Sequence, residues 1–330
     1  NYTISGTGSI TMDVAAGSAE IYVLAGNHTI GVPVVMNDNT TIDLSAGFGP
    51  DNNASLPGGG RFSNVPTTSL TFGSTVTLAS GVTLTKKGVG TTTFTAIRGS
   101  GGLVVNGGPV KIAAGGTPNS PSGTSVVTSL NVVGSGQLDL TNNSMIIDYT
   151  GPVGTQVSDI RGHLRAGRLI SSSGTATTRL GYGDNAVLGK TTFAGQSVDT
   201  SSILIKYTYA GDADLDGDAD GVDIGTWATN FTGELGGTGS EVWTQGDWDY
   251  DGDVDGVDAG LWAQAFTGEL GGGGLGSLVV NDPNIAPGAA AILRGMGITV
   301  VPEPATLGLL AGLGTVAISG GRRRGFRSRG

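Results

Sequence analysis

The chain has 330 residues, of which 61 are glycine and none is cysteine, and its formal net charge is −10. The absence of cysteine excludes disulfide bonds, thiolate metal sites and cysteine catalysis. No Gly-X-Y period is present, which excludes collagen, and no basic patch precedes the C-terminus, which argues against a nucleic-acid partner. Short runs rich in Val, Thr and Ile between glycine-rich turns predict a mainly β fold.

Residues 1–205 contain many strand-length runs that are rich in β-branched residues. Examples are residues 28–36, 91–97 and 125–133, each bounded by glycine, asparagine or proline. Two architectures fit this pattern: a parallel β-solenoid, in which each rung stacks on the one before it, and an antiparallel β-sandwich. Loose self-similarity without a fixed period favours the solenoid. Within residues 157–168, apolar residues recur at helical spacing at Val157, Ile160 and Leu164. This pattern, with Ser158 as N-cap, predicts one short helix near the end of this region.

Catalytic groups are not evident in this β-rich region. Its ten acidic residues are scattered along the sequence, whereas a glycosidase needs two carboxyl groups that face each other across a groove. Isolated Asp beside Gly or Asn is more often a turn residue, and His28 and His163 have no ligand spacing. The sequence therefore predicts a non-enzymatic protein with no catalytic residue, although acids on neighbouring rungs could still pair in space.

Residues 84–112 read LTKKGVGTTTFTAIRGSGGLVVNGGPVKI. The Lys-Lys-Gly-Val-Gly turn, followed by strands that a glycine cluster separates, resembles the autotransporter-associated β-strand repeat of bacterial surface proteins. The resemblance implies a β-helical, passenger-like region at the cell surface.

Two acidic loops, which we name loop 1 (residues 212–223) and loop 2 (residues 247–258), carry a metal-binding pattern. They read DADLDGDADGVD and DWDYDGDVDGVD, with Asp at positions 1, 3, 5, 7, 9 and 12 and Gly at position 6. This is the ligand order of an EF-hand calcium loop, in which alternate residues direct oxygen atoms at a hard cation. The predicted ligands of two Ca²⁺ ions, with position 7 acting through its carbonyl, are Asp212, Asp214, Asp216, Asp218, Asp220, Asp223, Asp247, Asp249, Asp251, Asp253, Asp255 and Asp258.

The loops belong to a duplication with an offset of 35 residues, which repeats Trp227 at Trp262 and Phe231 at Phe266. A solvated acidic turn would not repeat the glycine at position 6 together with these aromatic residues. Apolar spacing after each loop predicts a short helix, and no helix is predicted before either loop. The Trp and Phe residues are predicted to form the core between the two helices.

A duplicated calcium loop and helix, with no entering helix and with Asp at position 12, resembles a type I dockerin domain. The resemblance implies two Ca²⁺ sites and a cohesin-like protein partner that joins the chain to a polysaccharide-degrading complex. Loop positions 10 and 11 depart from the family, because Gly221-Val222 and Gly256-Val257 stand where the family often has a hydroxyl pair.

The chain ends in Pro302-Glu303-Pro304, an apolar run at residues 305–319 and five arginines among the last nine residues. The uncharged stretch of 17 residues is at the low end of what spans a bilayer, and the arginines after it predict a cytoplasmic C-terminus. This order resembles the PEP-CTERM sorting signal of Gram-negative surface proteins. The resemblance implies export, recognition by an exosortase-type processing enzyme, cleavage near the Pro-Glu-Pro motif and delivery to the surface.

The sequence thus predicts four segments: a β-rich, solenoid-like domain at residues 1–205, a dockerin-like calcium module at 206–270, a Gly/Pro-rich linker at 271–301 and a sorting signal with a short transmembrane helix at 302–330. No N-terminal signal peptide is visible, and we expect that the chain is incomplete at Asn1. The predicted function is a structural, adhesive or assembly role at the cell surface, with a surface polysaccharide as a further candidate partner. The alternative is a carbohydrate-active or glycan-binding component of a dockerin-assembled complex.

Overall fold

The computed structural model describes residues 1–45, 68–233, 239–268, 274–281 and 284–301. The predicted sorting motif Pro302-Glu303-Pro304 and the apolar segment that follows it lie outside these residues. Within the described ranges, no helix is both long and apolar enough to cross a membrane.

The N-terminal region is built from short strands that follow one another as rungs, and each of the first four rungs adds one strand to each of three sheets, whereas the strand at Ser125–Val127 belongs to a fourth sheet. In chain order the strands are β1 Thr3–Ile4, β2 Ile10–Met12, β3 Ala19–Tyr22, β4 Asn27–Ile30, β5 Val34–Met36, β6 Thr40–Asp43, β7 Ser69–Phe72, β8 Val76–Leu78, β9 Thr83–Lys87, β10 Thr91–Phe94, β11 Ile97–Gly99, β12 Gly102–Val105, β13 Gly108–Ile112, β14 Ser125–Val127, β15 Ser129–Val132 and β16 Gly136–Asp139.

Equivalent strands of successive rungs pair in parallel, and their inward side chains stack on one another. Phe72 of β7 pairs with Phe94 of β10, and the two rings are stacked with centroids 4.9 Å apart. Leu84 of β9 pairs with Leu103 of β12 in the same way, and both are fully buried. The β-rich prediction is confirmed, and this parallel pairing has the connectivity of a solenoid, since a sandwich of hairpins would pair antiparallel.

A buried lysine organises one corner of this stack. The Lys86 amine donates to the carbonyl oxygens of Gly88 and Gly107, each at 2.7 Å, and to that of Gly90. Burial lowers the pKa of Lys86 to about 8. These glycines belong to the Lys-Lys-Gly-Val-Gly turn and the glycine cluster noted in the sequence, so the turn is held by a side chain of its own rung.

The parallel stack ends in antiparallel strands and a helix. The elements are β17 Met145–Asp148, α1 Gln156–Arg165, β18 Leu169–Ile170, β19 Thr178–Asp184, α2 Asn185–Leu188, β20 Thr192–Phe193, β21 Gln196–Ser197 and β22 Ser202–Tyr209. β22 pairs antiparallel with both β17 and β19. The predicted helix is confirmed as α1, which buries Ile160 and Leu164, but its N-cap is Thr155 and not Ser158. The Ser158 hydroxyl instead donates to the Thr155 carbonyl from within the first turn.

The C-terminal part is mostly helical. It contains α3 Gly221–Asn230, α4 Gly256–Ala265, β23 Val279–Val280, α5 Pro287–Gly295 and β24 Thr299–Val300. The sequence predicts residues 271–301 as a linker. In the structure, β23 and β24 of this segment pair in parallel, and α5 connects them. Pro287 lies at the start of α5, where a missing N–H costs nothing, and the helix buries Ala289 and Leu293.

Candidate metal centre

Each acidic loop begins after extended chain or a short turn and leads directly into a helix. Strand β22 precedes loop 1, and a 3-10 turn at Trp243–Gln245 precedes loop 2. Helices α3 and α4 begin at loop position 10. The predicted exit helices are confirmed, as is the lack of an α-helix directly before either loop in the described residues.

The loop backbone needs positive φ angles at two positions. Gly217 and Gly252, at position 6, have φ angles of +114° and +98°, which glycine adopts without steric cost. Leu215 and Tyr250, at position 4, also have positive φ angles, of 59° and 71°. The sequence signalled only the glycines. Position 4 is held by packing, because Leu215 is buried and the Tyr250 hydroxyl donates to the Leu180 carbonyl at 2.9 Å.

The position-1 carboxylate of loop 1 is completely buried and well satisfied. Asp212 accepts hydrogen bonds from the backbone N–H groups of Asp216 and Gly217, each at 3.0 Å, and from the Thr208 hydroxyl. The Lys206 amine lies 3.8 Å from Asp212 Oδ2. This is the one ion pair that a loop carboxylate makes in the part of the chain the structure describes.

The position-1 carboxylate of loop 2 is equally buried but has no such partners. Both carboxylate oxygens of Asp247 lack a hydrogen-bond partner among the described residues. The Gly252 amide and the charge of Arg161 each lower the pKa of Asp247, but neither compensates its burial. A buried ionised carboxylate without a partner is costly, so a cation close to Asp247 would remove a large penalty.

The position-12 carboxylates connect each loop to its helix. Asp223 accepts from the N–H groups of Ala213 at 2.8 Å and Asp220 at 2.8 Å. Asp220, at position 9, in turn caps α3 in a capping box with Asp223, and Asp255 and Asp258 form the same box on α4. These acids therefore shape the helix N-termini as well as the candidate sites.

Burial raises the pKa of the deepest loop carboxyl groups. The pKa is about 6 for Asp212, about 7 for Asp247 and about 8 for both Asp223 and Asp258. Neighbouring loop carboxylates raise these values further, whereas Lys206 lowers the pKa of Asp212. Burial also raises the pKa values of the shallower groups Asp218, Asp249 and Asp253.

Carboxylate oxygens gather within 4.8 Å of one another in two triads per loop, which share position 12. The triads are Asp212–Asp214–Asp223, Asp218–Asp220–Asp223, Asp247–Asp249–Asp258 and Asp253–Asp255–Asp258. Position 7, expected to act through its carbonyl, thus brings its side chain into the second triad. Asp216 and Asp251, at position 5, lie in none of these triads, and each accepts a hydrogen bond from the N–H two residues later.

The donor set fits a hard divalent cation. All ligand candidates are carboxylate oxygens, and the orphaned oxygens of Asp247 are directed into one of the triads. Ca²⁺ accepts six to eight oxygens in flexible geometry, whereas Mg²⁺ retains several waters and rarely takes an all-protein cage. The residues present therefore suit Ca²⁺ better than Mg²⁺.

The two loop–helix halves exchange equivalent contacts. The Trp227 indole N–H donates to the Asp255 carbonyl at 2.9 Å, and the Trp262 indole N–H donates to the Asp220 carbonyl at 3.0 Å. Both indoles are fully buried. The predicted aromatic core between the halves is confirmed, and each helix is fastened to position 9 of the opposite loop.

Basic side chains of the solenoid end hold the main chain of the module. Their acceptors are carbonyl oxygens, in the pairs Arg161–Gly239, Arg161–Glu241, Arg165–Asp251, Arg179–Trp248 and Lys206–Leu215. None of these contacts was predicted from the sequence. The available signal was the cluster of arginines in residues 161–168, in a chain with few basic residues before an acidic module.

Two further tryptophans, which the sequence analysis did not use, fill the junction with the solenoid. Trp243 and Trp248 are fully buried. The Trp243 indole N–H donates to the Asp212 carbonyl at 2.6 Å, and a Cβ atom on Gly181 of β19 would lie 2.9 Å from the same indole. The module and the antiparallel end of the solenoid therefore share one packed core.

Three of the scattered acids of the solenoid, Asp148, Asp184 and Asp199, lie near one another. Asp148 and Asp184 lie around Tyr149, whose hydroxyl donates to Asp184 at 3.2 Å. Burial, and then the charge of Asp199, raise the pKa of Asp148. Asp184 also caps α2, and Asp199 accepts from the N–H of Ser201. These are the turn and cap roles expected for isolated Asp residues.

No protein-family model, curated protein or solved structure matches this chain. The resemblances to dockerin domains, to PEP-CTERM signals and to autotransporter-associated repeats thus rest on the residues quoted above.

Proposed function

We propose that this chain is an exported, non-enzymatic structural protein of the cell surface, whose C-terminal module folds around two Ca²⁺ ions. The observation that carries the proposal is a set of four buried loop carboxylates, Asp212, Asp223, Asp247 and Asp258, between 0 and 2% exposed. They are accompanied by a single ion pair within the described residues. Bound cations would supply the missing positive charge, and the free energy of ligation would become free energy of folding.

The contacts between the module and the solenoid support a structural role. A stack of parallel strands exposes unpaired edges at its end unless another element covers it. Here β22 pairs with β17 and with β19, so that antiparallel strands extend one sheet at the end of the stack, and Trp243, Arg179 and Lys206 join these strands to the module. On this proposal, calcium holds the terminal cap of the solenoid folded and does not act as a sensor.

Export and sorting are part of the proposal through the Pro302-Glu303-Pro304 motif, which an exosortase-type enzyme would recognise while the apolar segment anchors the chain in the membrane. A cohesin-like protein or a surface polysaccharide would be the partner outside the cell. Val222 and Val257, at loop position 11, are 63% and 56% exposed. They are the apolar side chains that the module offers to a protein partner beside its two loops.

The proposal is tested by titrating the metal-free full chain with CaCl₂ while recording heat, far-UV circular dichroism and resistance to protease. We expect heat of binding for two ions, a gain of helical signal and protection of residues 206–270, with a much weaker response to MgCl₂. Binding heat that is absent at millimolar Ca²⁺, together with an unchanged spectrum, would refute a calcium-dependent module.

One observation favours a second candidate, a carbohydrate-active solenoid. Burial, and then the charge of Asp199, raise the pKa of Asp148, so these two carboxyl groups lie near each other, and glycosidases use a pair of carboxyl groups. A polysaccharide-hydrolysis screen of the full chain, with Asp148→Asn as the matched variant, separates the candidates. Activity that Asp148→Asn abolishes would establish the enzyme, and no activity on any polysaccharide would leave the structural role.

A further inference from the structure

The two halves of the duplication differ at two positions that face the loops. With the offset of 35 residues, Lys206 aligns with Glu241 and Thr208 aligns with Trp243. Both pairs lie just before position 1 of their loop. The residues at these positions are thus a cation and a hydroxyl before loop 1, where both contact the first carboxylate, and an anion and an indole before loop 2.

In loop 1 these residues satisfy the position-1 carboxylate. The Lys206 amine lies 3.8 Å from Asp212 Oδ2 and donates to the Leu215 carbonyl at 2.8 Å, so it is held along the loop. The Thr208 hydroxyl donates to the same carboxylate oxygen. Loop 1 therefore carries part of its own countercharge, and an incoming cation must compete with a bound ammonium group.

In loop 2 the equivalent residues do not help the carboxylate. The Trp243 indole is turned to the main chain of loop 1, where it donates to the Asp212 carbonyl. Glu241 lies against loop 2, where its N–H donates to the Gly252 carbonyl at 3.3 Å, and its negative charge raises the pKa of Asp253. The two carboxylate oxygens of Asp247 are buried and have no hydrogen-bond partner among the described residues.

The arginines near loop 2 do not take the place of Lys206. Arg161, Arg165 and Arg179 donate to main-chain carbonyl oxygens. Within the described ranges, the carboxylates of loop 2 have no ion pair, whereas Asp212 of loop 1 has one. Arg161 acts on Asp247 only through its charge, which lowers the pKa of that carboxyl group, and it forms no ion pair with a described carboxylate of loop 2.

We propose that the two calcium sites are unequal and that Lys206 sets the difference, so that loop 2 binds Ca²⁺ first and loop 1 binds it more weakly. The inference rests on the proposed calcium-binding function. Loop 1 fills when the Lys206 amine leaves Asp212. A cleft of about 300 Å³, lined by Lys190, Thr192, Lys206 and Asp216, offers the amine a place to move.

The test is a CaCl₂ titration of the metal-free full chain by calorimetry, with Tb³⁺ luminescence sensitised by tryptophan as an independent readout. We expect two classes of site whose Kd values differ by about ten-fold or more. Lys206→Met should tighten the weaker site by about ten-fold and leave the tighter one unchanged, as expected for removing an ammonium group about 6 Å from a divalent ion in a water-like medium. Lys111→Met, whose amine pairs with Asp139 of the solenoid at 3.4 Å, is the control and should change neither Kd by more than about two-fold.

Asp247→Asn and Asp212→Asn assign the sites, since the first should abolish the tight class and the second the weak class. If Lys206→Met does not fold, as judged by circular dichroism, Glu241→Gln gives a second test and should weaken only the tight site. Two sites of equal affinity, or a Lys206→Met variant that leaves the weak site unchanged, would overturn the inference while the calcium module stands. No heat and no Tb³⁺ luminescence at all would overturn the proposed function itself.

Discussion

Each position-12 aspartate both caps a helix and belongs to the carboxylate triads of its loop. Asp258 accepts hydrogen bonds from the N–H groups of Trp248 at 2.7 Å and Asp255 at 2.9 Å, and it completes the capping box of α4. Its side chain also belongs to both carboxylate triads of loop 2. One residue thus determines where the helix starts and where a cation would bind.

Replacing a position-12 residue should therefore affect one half of the module in two ways. We expect Asp223→Ala to lose calcium binding at loop 1, to leave loop 2 nearly unchanged, and to cost about 1–2 kcal/mol of stability without calcium through the lost cap. Calorimetry and urea unfolding measure the two effects. Asp199→Ala, whose side chain accepts from a turn N–H far from the loops, is the control and should leave calcium binding intact.

The raised pKa values predict how the metal-free chain responds to pH. The folded pKa values of Asp212, Asp247, Asp223 and Asp258 lie at about 6 to 8, above the unfolded value of 3.8. Lys206 faces Asp212 and Arg161 faces Asp247, and each lowers the pKa of its neighbour only in part.

Protonation of these carboxyl groups contributes to the free energy of unfolding. This contribution has its full value below about pH 4 and is lost as the pH rises through about 6 to 8. The Tm of the metal-free chain should thus fall over this range, while saturating Ca²⁺ should reverse the loss. Differential scanning calorimetry at several pH values measures both curves. A Tm of the metal-free chain that rises with pH would contradict the burial of these carboxyl groups.

At the scale of elements, α3 and α4 depend on each other. Each has only 10 residues, and helices of that length are marginal in water on their own. The reciprocal bonds of Trp227 to Asp255 and of Trp262 to Asp220 connect each helix to the opposite loop. The tryptophan of one half is therefore a structural part of the other half.

Removing one indole N–H should measure this connection. Trp262→Phe removes one of two hydrogen bonds to the Asp220 carbonyl, which also accepts from the Ile224 N–H at 3.4 Å, and we expect a loss of about 0.5–1.5 kcal/mol from this hydrogen bond in addition to the loss of packing. Trp248→Phe is the matched control, because Trp248 is equally buried but its indole N–H has no hydrogen-bond partner in the described part of the chain. Equal losses in urea unfolding for the two variants would show that the hydrogen bond contributes nothing.

For the whole molecule, the important interface is the one between the solenoid end and the module. Arg179 of β19 donates to the Trp248 carbonyl at 2.7 Å, and its guanidinium carbon lies 5.9 Å from the centre of the Tyr250 ring. Tyr250 in turn donates to the Leu180 carbonyl of the same strand. On the proposed calcium binding, free energy gained in loop 2 would therefore be coupled to the antiparallel end of the solenoid through these contacts.

This coupling predicts that calcium stabilises the solenoid as well as the module. We expect the calcium-loaded chain to unfold in one calorimetric transition, and Arg179→Met to separate it into two or to lower its Tm by a few degrees. Arg168→Met is the control, because Arg168 donates to the Val132 carbonyl inside the solenoid. Identical behaviour of the two variants would contradict coupling through Arg179.

Much of the local structure was determined by the sequence. The spacing of Asp and the glycine at position 6 predicted both loops, and apolar spacing predicted the helices after them, because such features depend on neighbours within a few residues. The β-rich character of residues 1–205 followed from composition in the same way. The choice between solenoid and sandwich could not be made from composition, because the residue pattern of a strand does not show with which other strand it pairs.

Only the tertiary structure decided how the loops differ and what holds them. The ion pair of Lys206 with Asp212 depends on the backbone path through loop 1, and the bond from Arg179 to Trp248 joins residues 69 positions apart. Both loops have Asp at position 1. The carboxylate of Asp212 accepts hydrogen bonds from two backbone N–H groups, whereas the carboxylate oxygens of Asp247 have no hydrogen-bond partner in the described residues. The physical reason is that burial and countercharge come from whichever groups the fold brings near a residue, and these lie far from it along the chain.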